Sequence, residues 1–370
     1  MEDNESYGLG KVGSTKRFEA PLIEYMPPKP RHYKPSIALI GCGGISEQHL
    51  IAYTKAGWNI SVLCDVNREK AEGAKHRFNL SSRIEENWEN LINDDEIDVV
   101  DLAVHPRVRD RMFEPFINRK KHILSQKPFV TDIARGEEIV AKARDAGIKL
   151  AVNQNGRWSP HYSYIRGLID EGALGDIQAI RHSISWDHTW TKGTPFEDIH
   201  FLILYDFGIH WFDLLACFLK GRKVNSIYAK ASFAAGQDVK PPFLSSVIFD
   251  YEGGQASIDF NALTRYGQED RTLVIGNRGT VESVGLDLLS QKVTFSCESG
   301  QATPELKGSW FPDGFVGSMG ELLCGIEENR EPSNNAADNL LSLRFCFAAL
   351  KSAKTGRPVD PYESGLSIVK

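Results

Sequence analysis

Three polar residues of this 370-residue chain have the types and spacing that proton transfer at an alcohol requires. Asp206 and His210 stand four residues apart in Asp-Phe-Gly-Ile-His, which predicts one shared helix face. A nearby carboxylate raises the pKa of a histidine and holds its ring, which suits a group that takes a proton from a hydroxyl. Lys127 follows an apolar strand in Ser-Gln-Lys-Pro, and a partly desolvated lysine can share in proton transfer. We therefore interpret Lys127, Asp206 and His210 as candidate catalytic residues.

Each of these residues also has a structural alternative. Most lysines are solvated surface residues. The helix predicted from Asp206 to Leu219 is rich in apolar side chains, so His210 could instead be a buried core histidine. Asp213, three residues after His210, could be a hydrogen-bonded structural acid.

A glycine-rich turn lies between the first apolar strand and the first helix. Gly41-Cys42-Gly43-Gly44-Ile45-Ser46 has the context of a dinucleotide-binding loop, with Ser46 where a third glycine or alanine is usual. Gly41 permits the tight turn, Gly43 lets the backbone approach a pyrophosphate, and the helix that starts near Gly44 offers unpaired N–H groups. We predict that Gly41, Gly43, Gly44 and Ile45 bind a cofactor, with a plain strand-to-helix turn as the alternative.

The end of the second strand bears on which dinucleotide binds. Asp65 follows Gly41 at about the spacing where an acid accepts hydrogen bonds from the adenosine ribose, which favours NAD. Asn67 and Arg68 come next, and an arginine there could pair with the 2′-phosphate of NADP. We expect NAD, with NADP as the alternative, and contacts from Asp65, Asn67 and Arg68. Asp65 could also serve as a helix N-cap.

Aromatic and polar residues later in the chain could hold a polyhydroxylated ring. Arg157, Trp158, Trp186 and His188 are the predicted substrate-binding residues, together with Asp206 and His210, and Asp187 and Trp190 lie beside them. The alternative is that these tryptophans belong to the core or to an interface. Asp187, His188 and His200 could be metal ligands, but no third-ligand spacing supports that, so we predict no metal site.

The pattern around these residues predicts two domains after an N-terminal arm. Short apolar runs alternate with helix-period stretches from residue 36 to 154, which indicates βαβ units and a parallel sheet, a Rossmann domain. Residues 155–370 change rhythm to helices and successive strand-like runs, which predicts an α+β domain with a large, mostly antiparallel open sheet; its last helix could pack back on the Rossmann domain. Residues 1–35 carry five prolines and predict an extended arm on the surface or on a neighbouring subunit.

Composition excludes several classes of partner. The net charge is -6 and no basic block is interleaved with aromatics, which argues against nucleic acid. The acidic N-terminus and the lack of a long apolar run argue against secretion and membrane insertion. Six scattered cysteines without a C-x-x-C pair fit reduced thiols, so we expect a cytoplasmic protein.

Taken together, these motifs resemble the glucose-fructose oxidoreductase / inositol dehydrogenase / MocA family of NAD(P)-dependent oxidoreductases. The resemblance spans about residues 36–350 and includes His49 after the glycine loop, Gln126-Lys127-Pro128 for the family's Glu-Lys-Pro, and Asp206-x-Gly208-x-His210-x-x-Asp213. It implies that Lys127 and His210 meet at a substrate hydroxyl opposite the nicotinamide and that Asp206 completes the site.

The resemblance also extends the predicted cofactor contacts to His105, Gln126 and Lys127, although the loop at His105 departs from the family's usual Thr-Pro. It implies a hydride transfer between NAD(P) and a ring hydroxyl of a sugar, glycoside or inositol. Two alternatives stay open: an enzyme that uses tightly bound NAD as an internal redox agent, and a non-catalytic NAD(P)-binding regulator. The open sheet predicts a homo-oligomer, a dimer or a tetramer.

Overall fold

A computed structural model describes residues 15–368. Six parallel strands form the first sheet in the order β3-β2-β1-β4-β5-β6, the doubly wound arrangement of a Rossmann domain. Its elements are β1 (Ser36–Ile40), α1 (Ser46–Ala56), β2 (Asn59–Cys64), α2 (Arg68–Arg77), β3 (Arg83–Glu85), β4 (Val99–Leu102), α3 (Pro106–Asn118), β5 (His122–Gln126), α4 (Ile133–Ala146) and β6 (Leu150–Asn153).

The parallel strands are short and almost entirely buried, as expected of a sheet covered by helices on both faces. Parallel strands end at one edge, and the order of the sheet reverses between β1 and β4. The residues that follow β1, β2, β4 and β5 therefore meet at the switch point where ligands of such folds bind. Both the glycine loop and Lys127 lie there.

The second domain is built on an eight-stranded sheet of order β14-β13-β12-β11-β7-β10-β9-β8. All neighbours are antiparallel except β7 and β10, which run parallel. Its elements are α5 (Pro160–Asp170), β7 (Ile177–Ser185), α6 (Ile209–Phe218), β8 (Val224–Ser232), β9 (Leu244–Tyr251), β10 (Gly254–Asn261), β11 (Glu269–Gly276), β12 (Gly279–Gly285), β13 (Gln291–Cys297), β14 (Gly300–Ala302), α7 (Trp310–Glu327) and α8 (Ala336–Thr355).

The predicted fold class is confirmed, with corrections in the second half. The sequence pattern did not predict β13 and β14, and the helix predicted from Asp206 begins as a π-helical turn at Ile203–Phe207 before α6. The helix α7 joins the Rossmann core, since Phe315, Met319 and Leu322 pack with buried residues of β1 and α1.

The arm, over the residues that the structure describes, lies on its own chain. Arg17 pairs with Gln301 beside β14, Ile23 packs on Gly167 of α5, and the backbone N–H groups of residues 31–33 donate to the carboxylate of Glu327. The arm therefore connects the free end of the eight-stranded sheet to the end of α7. Within residues 15–368, no helix has the length and apolar content that a membrane span needs.

Candidate active site

The glycine loop has the geometry that a dinucleotide phosphate needs. Gly41 has φ +101°, and a Cβ there would lie 2.7 Å from the carbonyl oxygen of Ala103, so only glycine fits this turn. A Cβ on Gly43 or Gly44 would meet nothing within 4 Å, which leaves open space in front of the loop. The N-terminus of α1 follows directly at Ser46, after Ile45. These residues fit a bound pyrophosphate.

The second part of the nucleotide site is held by carboxylate hydrogen bonds. Asp65 accepts from the backbone N–H of Cys42 at 2.8 Å and of Asn67 at 2.9 Å, so it fixes the glycine loop against the end of β2. The N-cap of α2 is Asn67, which accepts from the N–H of Lys70, and not Asp65. Arg68 pairs with Glu72 at 2.7 Å and with Glu86 at 3.1 Å. These two carboxylates pair with the arginine that could bind the 2′-phosphate of NADP in the alternative prediction.

Lys127 meets Asp206 across the domain boundary. Its ammonium donates to the backbone carbonyl of Asp206 at 2.8 Å and lies 3.3 Å from the carboxylate oxygen Oδ1. The two side chains are only 16% and 21% exposed, so the pair is partly shielded from water. Partial burial strengthens the electrostatic contact. The structure thus brings together two of the three predicted catalytic residues, one from each domain.

A π-helical turn presents Asp206 to the lysine. The N–H of Gly208 donates to the carbonyl of Ile203 at 2.7 Å, five residues back, which widens the helix at this point. A Cβ on Gly208 would lie 2.7 Å from the carbonyl oxygen of Leu204, so glycine is required. The predicted α-helical turn from Asp206 is therefore a wider π-helical one, and the carboxylate of Asp206 contacts Lys127.

His210 sits behind this pair among aromatic rings. Its ring lies 5.5 Å from that of Trp310 at 90°, and its Nδ1 atom is buried with no hydrogen-bond partner. Burial, and next the charge of Lys127, hold the pKa of His210 well below its usual value. The expectation that Asp206 raises this pKa is therefore wrong, because the carboxylate is directed to Lys127. His210 is neutral at neutral pH, the form that accepts a proton.

Sequence reasoning missed a buried polar cluster beneath Lys127. The His49 ring lies 2.6 Å from Asp101 through Nδ1 and 3.1 Å from the amide nitrogen of Gln126 through Nε2, while Tyr53 donates to the same Asp101 oxygen at 2.5 Å. The side-chain oxygen of Gln126 accepts from the backbone N–H of Lys127 at 2.6 Å. The cluster fixes the backbone at Lys127. The one sign of it in the sequence was the position of His49 in α1, on the helix face that packs against β4.

Arg109 is a second residue that the sequence did not single out. Its guanidinium is buried and donates to the carbonyl of Val104 at 2.7 Å and to that of Pro128. It therefore ties the turn after β4 to the turn that carries Lys127. His105, a predicted cofactor contact, is exposed beside this link and caps α3 through the N–H of Arg107.

Two of the predicted substrate-binding residues lie in the core. Arg157 makes a two-pronged ion pair with Asp213 at 2.6 Å and donates to the carbonyl of Ser333. Trp158 is 2% exposed and packs on Gly317 of α7, with Arg166 over its ring. Trp158 is therefore corrected, because its side chain is buried against α7. Arg157 joins α6 to the segment before α8 through these bonds and also lines a cavity of about 470 Å³, whose lining includes neither Lys127, Asp206 nor His210. Asp213 is thus a hydrogen-bonded structural acid, which is the alternative that the sequence offered for it.

Trp186 and His188 both line a cavity, although His188 itself is only 8% exposed. Their rings stack at 5.7 Å, and with Trp190 and Phe311 they line a cavity of about 400 Å³. The cavity is separated from His210 by the buried Trp310, whose ring stacks on Phe311 of the cavity and contacts His210. Among residues 15–368 no group of three or more His, Cys, Asp or Glu side chains could hold a metal ion.

Comparison with known proteins agrees with this architecture. Residues 36–154 match the model of the oxidoreductase family with an NAD-binding Rossmann fold, and residues 162–282 match the GFO/IDH/MocA C-terminal domain. The chain belongs to the GFO/IDH/MocA family. The predicted family, the predicted oxidoreductase class and the predicted NAD cofactor are thereby confirmed.

Relatives of this GFO/IDH/MocA protein include named dehydrogenases. D-apiose dehydrogenase of Paraburkholderia graminis is 27% identical, over 87% of this chain and 88% of its own length. Inositol 2-dehydrogenase of Rhizobium meliloti is 24% identical, over 87% of this chain and 98% of its own length. An oxidoreductase of Agrobacterium radiobacter, crystallised with NAD+, L-tartaric acid and magnesium, has a TM-score of 0.79 at 23% identity and covers 89% of this chain and 99% of its own. The last likeness shows the fold.

Proposed function

We propose that this GFO/IDH/MocA oxidoreductase transfers a hydride between NAD and a ring hydroxyl of a sugar, glycoside or inositol. The observation that carries the proposal is the Lys127–Asp206 pair beside the neutral His210, at the sheet edge that carries the glycine loop. The dehydrogenase relatives named for D-apiose and for inositol support the substrate class.

The roles follow from the charges and contacts of the three residues. His210, kept neutral by burial and by the Lys127 charge, takes the proton of the substrate hydroxyl. Lys127 donates a hydrogen bond to the oxygen as negative charge develops on it. Asp206 holds the ammonium in position through its carbonyl and carboxylate. NAD, held by the glycine loop and Asp65, supplies the hydride acceptor.

The test is an absorbance screen for NADH and NADPH over sugars, glycosides and inositols. We expect turnover with NAD+, and a loss of about 10²–10⁴-fold in kcat for Lys127→Met and for His210→Asn, far larger than any loss of NAD affinity. Lys142→Met is the matched control, because Lys142 is exposed and pairs with Glu114, outside the candidate site. Near-normal turnover in both site variants would overturn the assignment.

The same screen separates the alternatives. Absence of turnover across the panel with tight NAD binding would favour a regulator. Conversion of a glycoside without any change in NADH absorbance, with cofactor found in the purified protein by mass spectrometry, would favour internal use of bound NAD.

A further inference from the structure

The cavity beside the candidate active site has an apolar rim. Trp190 is 56% exposed, Leu289 is 59% exposed and Phe311 is 37% exposed, and all three line this one cavity together with Trp186 and Leu288. Large apolar side chains that are exposed together, instead of singly, mark a surface that binds an apolar partner.

The cavity lies next to the candidate catalytic residues and does not include them. Its lining contains neither Lys127, Asp206 nor His210, but Phe311 stacks on Trp310, whose ring contacts His210. Trp186 likewise contacts Trp211, the neighbour of His210 in the chain. The cavity therefore lies two ring contacts from His210, at 6.2 Å and 5.5 Å between ring centroids, which is a distance that a second group of the substrate could span.

The two carboxylates that line the cavity are engaged by their own loops. Asp287 accepts from the N–H groups of Leu289 at 2.8 Å and Ser290 at 2.7 Å, and Asp187 accepts from the N–H of Thr189 at 2.9 Å. The Nδ1 atom of His188 has no partner and is buried. Gln268 also lines the cavity, and Nε1 of Trp186 is buried without a partner. The rim residues Leu288, Leu289 and Phe311 carry no side-chain hydrogen-bonding group that a second sugar ring could use. An apolar group fits this lining better.

We propose that the substrate is a glycoside with an apolar, aryl-sized aglycone, and that Trp190, Leu289 and Phe311 bind that aglycone. The cavity of about 400 Å³ falls within the roughly 300–1,000 Å³ of small-molecule sites. A concave site of this size accepts a ring-sized group, whereas a second copy of the chain requires a broader surface. This inference rests on the proposed function and narrows its substrate class.

The test is calorimetric binding of matched glycosides to the NAD+-loaded protein. Methyl and phenyl β-pyranosides of glucose, galactose and mannose are compared, with cellobiose as the ligand that carries a second sugar instead of an aryl group. We expect at least one phenyl glycoside to bind about tenfold or more tightly than its methyl partner, since one methylene in an apolar pocket is already worth about tenfold or more. Equal affinity within every pair, or cellobiose binding as tightly as phenyl glucoside, would overturn the inference.

Two leucines of one loop provide a matched pair of variants. Leu289→Ser should remove most of the phenyl preference, as should Trp190→Ala, while Leu286→Ser should preserve it, because Leu286 is 69% exposed and does not line the cavity. A phenyl preference that survives both Leu289→Ser and Trp190→Ala would place the aglycone elsewhere. Turnover of methyl glycosides without a phenyl preference would leave the proposed function standing and sink only this inference. If no polyol reduces NAD+ but the phenyl preference persists, the proposed hydride transfer is wrong and the binding of an aryl group in this cavity stands.

Discussion

At the scale of single residues, the site depends on which charge each side chain faces. Asp206 is directed to Lys127, and His210 has only the lysine charge near it within the described chain. The sequence placed these three residues together but could not assign the partners, because the π-helical turn at Gly208 changes which way Asp206 points.

The first prediction concerns the protonation of His210. Its pKa lies below the usual value because of burial and then the Lys127 charge, so the ring stays neutral as pH falls through 6.5. We expect the oxidation rate to stay constant as the pH falls through 6.5 and to decrease only at a more acidic pH. We also expect the pKa of His210 to rise in Lys127→Met. Histidine NMR titration, assigned with His210→Asn, measures this directly. A titration midpoint near that of a free histidine in the unmodified protein would contradict it.

The second prediction concerns cofactor choice. Arg68 pairs with Glu72 and Glu86, so a 2′-phosphate has to compete with two carboxylates for it. We expect Glu72→Gln with Glu86→Gln to raise kcat/KM for NADP relative to NAD by about tenfold, since a hydrogen bond to a charged group contributes about 1.5–3 kcal/mol. Steady-state kinetics with both cofactors measures the ratio. Adding Arg68→Gln is the control and should remove the gain; a gain that persists there would show that another residue is responsible.

At the scale of elements, buried ion pairing joins the helices that carry the site. The carboxylate of Asp213 on α6 receives Arg157 and also Ser342 of α8, all buried. The tryptophan next in sequence, Trp158, packs on α7. Arg157 and Trp158, which were predicted to bind substrate, thus connect α6, α7 and α8. The helix α6 is the one that carries His210.

The third prediction tests that joint. Asp213→Ala leaves the buried Arg157 guanidinium with the carbonyl of Ser333 but without a carboxylate partner, which should lower the free energy of unfolding by about 3–5 kcal/mol. The double variant Arg157→Met with Asp213→Leu should lose less than Asp213→Ala alone, because no unpaired charge remains. Urea unfolding of the variants measures both. A double variant that is less stable than Asp213→Ala would argue against the uncompensated charge as the cause.

The sequence predicted the elements better than the contacts between them. Apolar runs such as Ile37–Ile40 are short and bounded by turn residues, so the Rossmann strands were predictable, as was the glycine loop. β13 and β14 escaped prediction because Gln291–Cys297 mixes polar and apolar residues on a half-exposed strand. Trp158 was misassigned because a buried tryptophan and one that faces a ligand look the same in a sequence. The pairing of Arg157 with Asp213 was not predicted, because only the position of Asp213 in space shows it.

At the scale of the whole molecule, the buried neutral histidines make stability depend on pH. Burial lowers the pKa of His161 and of His182 to about 3 and that of His188 to about 4. Asp270 opposes them, since burial raises its pKa to about 7. In mildly acidic solution these three histidines are therefore unprotonated in the folded state, whereas Asp270 is protonated.

The fourth prediction follows from this balance. Between about pH 6 and 4.5 the unfolded state protonates its histidines and the folded state does not, so stability falls as pH falls, by about 1.4 kcal/mol per pH unit for each histidine. Asp270 binds its proton in the folded state over the same range, so its contribution rises as pH falls and cancels about one histidine. The net result is a steep acid loss, measurable as the free energy of unfolding in urea at pH 6 and at pH 5. His182→Gln should reduce that slope by about 1.4 kcal/mol per pH unit, because His182 is fully buried. A slope unchanged by His182→Gln would mean that this ring takes up its proton inside the folded core, against the cost that its burial imposes.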